Sequence, residues 1–228
     1  MDFPVLSTVA KKIFLAVTGL CLAGFLMVHL AGNFLLYVGA DAFNLYAHTL
    51  MSMGSFLYVA EIILAAIFAI HLCLAVYIQI VNWRARPERY KKTNYQGKPS
   101  RITISSRTMI WSGLIIIIFT VIHVITFKYG PGIEEGYVTN LNGEEVRDLY
   151  RLVAESFGKE YYVFSYLAVM VVLGYHLKHA IWSAIHTLGL TNPSLLPAIY
   201  FLSTVASVAF GAGFFLIPVW FYFLGGTL

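Results

Sequence analysis

The chain has 228 residues, of which 59% are hydrophobic and only 11% are charged, and its formal net charge is +4 at pH 7. This balance excludes an ordinary soluble domain, in which about a quarter of the residues are charged. Two cysteines do not make a disulfide scaffold. Gly-rich phosphate loops, metal-binding cysteine pairs and nucleic-acid-binding signatures are also missing from the sequence, so we expect no nucleic-acid partner.

Long segments without charged side chains predict membrane-spanning helices. No Asp, Glu, Lys or Arg occurs between Lys12 and Asp41, a segment longer than the roughly 20 residues that cross a bilayer core. It is too long for the apolar part of a cleaved signal peptide, so we expect it to remain as a span. We predict one all-α integral membrane domain over residues 1–228, with spans near 11–37, 56–84, 107–128, 160–189 and 197–224.

The segment between the first two spans has a different pattern. Residues 39–55 (GADAFNLYAHTLMSMGS) mix apolar and polar side chains at helical spacing. This pattern predicts a short helix that lies along the outer membrane interface. We find no internal repeat in the sequence.

Charged residues outside the spans predict the orientation of the chain. The connection of residues 128–160 is acidic, whereas the connection of residues 84–107 is strongly basic. Because positive loops stay in the cytoplasm, we expect a cytoplasmic (inner) membrane protein with its amino terminus inside and its carboxy terminus outside. The basic connection is suited to anionic lipid or to an acidic partner subunit. Its basic residues are Arg84, Arg86, Arg89, Lys91, Lys92, Lys98, Arg101 and Arg107.

Histidines occur in each of the first four predicted spans, where ionisable residues are rare and indicate function. At a rise of 1.5 Å per residue, His29 and His123 lie roughly 12 and 8 Å from the outer helix ends. His71 and His176 lie roughly 24 and 23 Å from those ends. We therefore expect His29 to pair with His123 near the outer face, and His71 to pair with His176 nearer the cytoplasm.

Two facing imidazoles at one depth can hold an iron porphyrin, because each neutral ring supplies one axial nitrogen. Zinc is less favoured because its sites need three or four converging ligands. A proton relay favours a ladder of close groups over two tiers. We predict a helical bundle that holds two b-type haems, one above the other. Glycines could leave room for the porphyrin edges or serve helix packing alone: Gly19, Gly24, Gly32, Gly113 and Gly174.

Four stretches carry a resemblance to a known family: KKIFLAVTGLCLAGFLMVHLAGN at 11–33, FNLYAHTL at 43–50, AIHL at 69–72 and GYHLKHAIWS at 174–183. In their order and spacing, the chain resembles the di-haem cytochrome b membrane subunit of succinate dehydrogenase and fumarate reductase, in its single-chain, five-helix form. The resemblance implies that His29 and His123 ligate the outer haem iron and that His71 and His176 ligate the inner one. His179, three residues after His176, remains open as a contact to a propionate or a carbonyl.

The resemblance also implies partners and a reaction. A FAD-containing flavoprotein with the dicarboxylate site and an iron–sulfur subunit would sit on the cytoplasmic face. This chain would be the enzyme subunit that binds no dicarboxylate and would pass electrons between the iron–sulfur subunit and a membrane quinone. The implied reaction is succinate + quinone ⇌ fumarate + quinol, and menaquinone is favoured over ubiquinone.

The resemblance implies a quinone site near the outer haem. Glu61 lies roughly 9 Å from the outer end of its span, where a desolvated carboxylate can accept protons from a quinol. A protonated glutamate bonded across helices is the alternative. His48 is a second candidate for a quinone or propionate contact. Lys178 is a candidate for a propionate contact, with snorkelling or a neighbouring subunit as the alternatives.

One position departs from the family, and two other functions remain open. Some fumarate reductases of this type carry a glutamate two residues before the fourth-helix ligand, where this chain has Gly174, so their compensating proton path is not expected. A di-haem subunit of another complex, such as nitrate reductase, is the first alternative, although its ligands concentrate on two helices. A haem-free proton-coupled carrier is the second.

Overall fold

The fold is given by a computed structural model that describes residues 7–85 and 104–225. Within these ranges, five helices are long and apolar enough to cross a membrane, so the chain is a multi-pass membrane protein. A two-stranded sheet and two shorter helices lie between them. In chain order the elements are α1 (Thr8–Asn33), a 3-10 helix (Phe34–Tyr37), α2 (Ala40–Ser52), α3 (Ser55–Arg84), α4 (Ile104–Phe127), β1 (Val138–Leu141), β2 (Glu144–Arg147), α5 (Leu149–Phe157), α6 (Glu160–Thr187) and α7 (Leu196–Phe223).

The five long helices begin and end within three residues of the predicted spans, when the 3-10 helix is counted with α1. Local caps explain where some of them begin. The hydroxyl of Ser7 accepts a hydrogen bond of 3.1 Å from the backbone N–H of Ala10, so α1 begins earlier than its apolar run. Residues 86–103 of the basic connection lie outside the described ranges, and the orientation of the chain stays a prediction.

The connection between α4 and α6 contains a hairpin that the all-α prediction missed. Strands β1 and β2 are antiparallel, with Val138 opposite Arg147. Asn142 and Gly143 form the turn with φ of 56° and 90°, and Asn-Gly is the residue pair that tight hairpin turns favour. The all-α prediction did not include this hairpin, although its sequence, VTNL-NG-EEVR, contains the Asn-Gly pair typical of a tight turn.

We call residues 128–159 together with α2 the outer cap, after the predicted orientation, and polar contacts within it hold its parts together. The Arg147 guanidinium donates to the carbonyls of Lys128, Gly130 and Pro131 at 3.3, 3.1 and 2.9 Å, which satisfies acceptors just beyond the end of α4. The buried Asn44 amide joins α2 to the start of α5, because it donates to Asp148 at 2.8 Å and accepts from the Tyr150 N–H at 2.9 Å. The predicted short helix between the first two spans is therefore α2, while its place at the membrane interface stays a prediction.

The hydrophobic core lies around α6 and α7 and extends outward to α5 and the 3-10 helix. Helices α6 and α7 approach closely, since a Cβ on Gly211 would lie 3.4 Å from the Cα of Gly174. A larger side chain at position 174 would therefore press on α7. In contrast, α3 has no buried residue. It packs chiefly on α1, and α4 packs chiefly on α6. Helices α3 and α4 are therefore packed more loosely than α6 and α7.

Candidate cofactor site

The outer pair of histidines is brought together by α1 and α4. The ring centroids of His29 and His123 are 5.7 Å apart, and the two ring planes are perpendicular. A phenylalanine one turn earlier on each helix stacks on its histidine: Phe25 on His29 at 5.4 Å and Phe119 on His123 at 5.6 Å. The phenol oxygen of Tyr166 lies 3.0 Å from Nδ1 of His123. Aromatic rings and one hydroxyl therefore hold this pair.

The inner pair is carried by α3 and α6, and each ring is bonded to a hydroxyl of a neighbouring helix. Thr18 Oγ1 on α1 lies 3.1 Å from His71 Nδ1. Ser112 Oγ on α4 lies 2.9 Å from His176 Nδ1. The structure thus brings the ring of His29 next to that of His123, while the pairing of His71 with His176 stays a prediction.

The hydroxyls beside the inner rings also have backbone partners. A hydroxyl carries a single proton, and Thr18 Oγ1 lies 2.8 Å from the Phe14 carbonyl, while Ser112 Oγ lies 3.0 Å from the Met109 carbonyl. When the proton is donated to the carbonyl, the hydroxyl oxygen accepts from the Nδ1–H of its histidine. The remaining nitrogen, Nε2, then carries the free lone pair that a metal ligand needs.

Glycines stand next to both hydroxyls and border the inner rings. A Cβ on Gly19 would lie 3.1 Å from Cε1 of His71, and one on Gly113 would lie 3.7 Å from Cε1 of His176. Of the other glycines singled out in the sequence, Gly32 faces Tyr46, Gly174 faces α7, and a Cβ on Gly24 would meet nothing within 4 Å. Helix packing therefore fits Gly32 and Gly174, while room for porphyrin edges stays a prediction.

These four side chains fit the requirements of paired axial ligands. A ring nitrogen binds a metal at about 2 Å, so two imidazoles on opposite sides of one ion have centroids about 6 Å apart, close to the 5.7 Å of the outer pair. Histidine ligands also hold their second nitrogen in a hydrogen bond, as three of the four rings do. Within the described residues, no group of three or more His, Cys, Asp or Glu side chains could hold a metal.

Glu61 is paired with a lysine that the sequence analysis did not consider. The Glu61 carboxylate on α3 forms an ion pair with Lys128, directly after α4, and both side chains are partly exposed. The pair joins the outer ends of two helices that otherwise contact each other little. In the sequence, Lys128 served only to mark the end of a span. Its position at the outer end of α4 could have indicated it as a partner for Glu61.

The remaining candidate residues lie around the two tiers. Nε2 of His48 is 3.5 Å from a carboxylate oxygen of Glu144, and His48 lines a cavity of about 260 Å³ between α2 and the hairpin. The Lys178 ammonium lies 5.3 Å from the ring centre of Tyr200 on α7. His179 lies on α6, three residues after His176. Their contacts to propionates or quinone stay predictions.

A short internal repeat becomes apparent once the histidine partners are known. TGLCLAGFLMVH at 18–29 and SGLIIIIFTVIH at 112–123 share a hydroxyl, then Gly and Leu, a phenylalanine and a final histidine at the same positions. HLCLA at 71–75 and HLKHA at 176–180 correspond in the same way. Only four of the twelve positions in the first pair of segments are identical. The repeat is therefore hard to recognise from the sequence alone.

Comparison with known proteins gives no match: no protein-family model matches the chain, and no curated protein or solved structure matches it. What the two histidine tiers do must therefore follow from their own chemistry and surroundings.

Proposed function

We propose that this chain is the di-haem cytochrome b membrane subunit of a succinate:quinone oxidoreductase. The observation that carries the proposal is the approach of His29 and His123 from two spans, with His71 and His176 on two further spans each beside a buried hydroxyl. His29 and His123 would hold the outer haem, and His71 and His176 the inner one. Bound haem supplies reversible one-electron transfer between the two faces of the membrane.

The side chains around the histidines orient the rings and exclude water. Phe25 and Phe119 cover the outer rings, while Thr18 and Ser112 fix the inner ones from one side. The apolar spans keep bulk water away from both tiers, and a low local dielectric strengthens the hydrogen bonds that hold the rings. The chain's own contribution is therefore a rigid frame of four neutral imidazoles.

The outer ends of α3 and α4 provide a proton acceptor for quinone chemistry. Oxidation of a quinol releases two electrons and two protons. The Glu61 carboxylate can take these protons one at a time from the quinol hydroxyls and pass them to water at the outer face. Lys128 beside it is the ion-pair partner of this carboxylate.

The proposed partners follow from the orientation. The basic connection would face the cytoplasm and receive an iron–sulfur subunit and a FAD-containing flavoprotein, which carries the succinate or fumarate site. Menaquinone is the proposed quinone, because Glu61 places its site toward the outer face. The described residues of this chain would then form only the membrane arm of the enzyme.

The test is purification of the chain with its native partners, followed by an optical spectrum and a haem assay. We expect reduced b-type α-bands, two haems per chain, a co-purifying flavoprotein and reduction of both haems by succinate. A colourless complex would contradict the proposal and favour the proton-coupled carrier. A molybdenum-containing partner would point instead to the nitrate reductase type.

A further inference from the structure

The repeat gives the two inner ligands the same surroundings in two independent copies. In each copy a hydroxyl and a glycine are adjacent in the chain: Thr18 with Gly19, and Ser112 with Gly113. The glycine lets the ring of the facing histidine lie against the helix backbone, and the hydroxyl oxygen meets the Nδ1 of that ring. Because the arrangement occurs twice on different helices, a chance contact explains it poorly.

Both hydroxyls are buried and polarised. Thr18 and Ser112 are each 8% exposed, so their hydrogen bonds form in a medium of low dielectric. Each hydroxyl donates its own proton to a backbone carbonyl, which makes its oxygen a stronger acceptor for the imidazole N–H. A histidine that donates Nδ1–H in this way becomes a more basic ligand through Nε2.

We propose that Thr18 and Ser112 are positioning residues that fix the tautomer of His71 and His176 and lower the reduction potential of the inner haem. The inference rests on the proposed function. It follows because a more basic axial ligand stabilises the ferric over the ferrous state. The hydroxyls act through the histidines and touch neither iron nor quinone.

The two positions differ in one respect that sharpens the test. The Leu15 carbonyl also lies within hydrogen-bond reach of His71, so loss of the Thr18 hydroxyl leaves that ring an alternative acceptor. For His176 the bond to Ser112 is the one that the structure places on Nδ1. Removal of the Ser112 hydroxyl therefore has the larger effect.

The experiment is a potentiometric titration of both haems in the purified complex, comparing the wild type with Ser112→Ala and Thr18→Val. The inner haem is identified as the one lost in His176→Ala. Thr204→Val is the control, because the Thr204 hydroxyl also donates to a carbonyl of its own helix but lies on α7, which carries none of the four histidines. Ser112→Thr, which keeps the hydroxyl, is the rescue variant.

We expect two haems in every hydroxyl variant. The inner midpoint potential shifts to more positive values in Ser112→Ala, shifts less in Thr18→Val, and keeps its wild-type value in Thr204→Val and Ser112→Thr. An unchanged inner potential in Ser112→Ala, or an equal shift of both haems, would overturn this inference while the haem function stands. A wild-type complex without haem would instead overturn the proposed function.

Discussion

The inner and outer histidine tiers are built on different pairs of helices and by different means. In the inner tier, Nδ1 of each ring lies within hydrogen-bond distance of a hydroxyl, and that hydroxyl is also bonded to a backbone carbonyl. In the outer tier, stacked phenylalanines cover the rings, and the phenol of Tyr166 meets His123. The inner tier is fixed by directional bonds, and the outer tier by the packing of aromatic rings.

The same contrast appears ten residues before each inner ligand. On α6 this position is Tyr166, which is bonded to His123. On α3 it is Glu61, which is paired with Lys128 at the outer end instead. The two halves are therefore alike at the inner tier and diverge at the outer one. This divergence places a charged pair where the proposed quinone chemistry needs a proton acceptor.

The largest expected effect is the loss of one haem from a single histidine substitution. Removal of His71 or His176 should abolish the inner haem, and removal of His29 or His123 the outer one, because one axial ligand cannot replace two. The measurement is the haem content per chain, together with the potential of the haem that remains. His186→Ala is the control, since this exposed side chain bonds Thr191 near the end of α6 and its loss should leave both haems.

The same series of variants also tests which histidines share a haem. If His29→Ala and His71→Ala removed the same haem, the two tiers would be wrongly assigned. Loss of both haems from every variant would point instead to one coupled site, and the contrast between the tiers would disappear.

The spans could be predicted from the sequence, because a long apolar segment without charged residues is enough to indicate a membrane-spanning helix. The role of the four histidines stays a prediction. The hydroxyl partners could not be predicted. Thr18 and His71 are 53 residues apart, and their contact depends on the rotation of α1 against α3, which periodicity alone does not give. The same holds for the ion pair of Glu61 with Lys128. The hairpin was different, because Asn142 and Gly143 carry a local turn signal.

The second effect concerns Glu61. Glu61→Gln removes the proposed base without changing the size of the side chain, and we expect quinol turnover to fall by about 10²-fold, the lower range of general-base catalysis. Both haems should stay, because Glu61 pairs with Lys128 rather than with a histidine. The measurement is steady-state quinol oxidation alongside haem content.

Glu145→Gln is a suitable control for this substitution, because it also removes a carboxylate from the outer side of the molecule but lies on the hairpin. Turnover at the wild-type rate in Glu61→Gln would exclude Glu61 from the quinone site. Loss of the outer haem in that variant would show that Glu61 supports the histidine tier after all.

A smaller effect is expected for Tyr166→Phe in the outer tier. The phenyl ring still fills the space beside Phe119 and Phe157, whose rings lie 4.8 and 5.0 Å away, so only the hydrogen bond to His123 is lost, at a cost of about 1 kcal/mol. The outer haem should remain, with a positive shift of its potential smaller than the inner shift in Ser112→Ala. An outer shift as large as the inner one would mean that the two tiers are tuned alike.

The smallest effect lies in the outer cap, away from both tiers. Tyr137 and Arg151 donate to the Glu155 carboxylate at 2.6 and 2.7 Å, and these bonds hold the pKa of Glu155 below its ordinary value. The carboxylate therefore stabilises the cap above that ordinary pKa, and the stabilisation is lost as the pH falls through the lowered value. For a partly exposed network this amounts to less than about 1 kcal/mol.

Glu155→Gln should accordingly increase proteolysis of residues 128–159 at neutral pH and match the wild type in strong acid, while both haem potentials stay unchanged. Haem potentials that move with this substitution would mean that the cap and the outer tier are coupled. In that case the coupling would pass through the aromatic packing of Phe157, on α5, against Tyr166, whose hydroxyl lies beside His123.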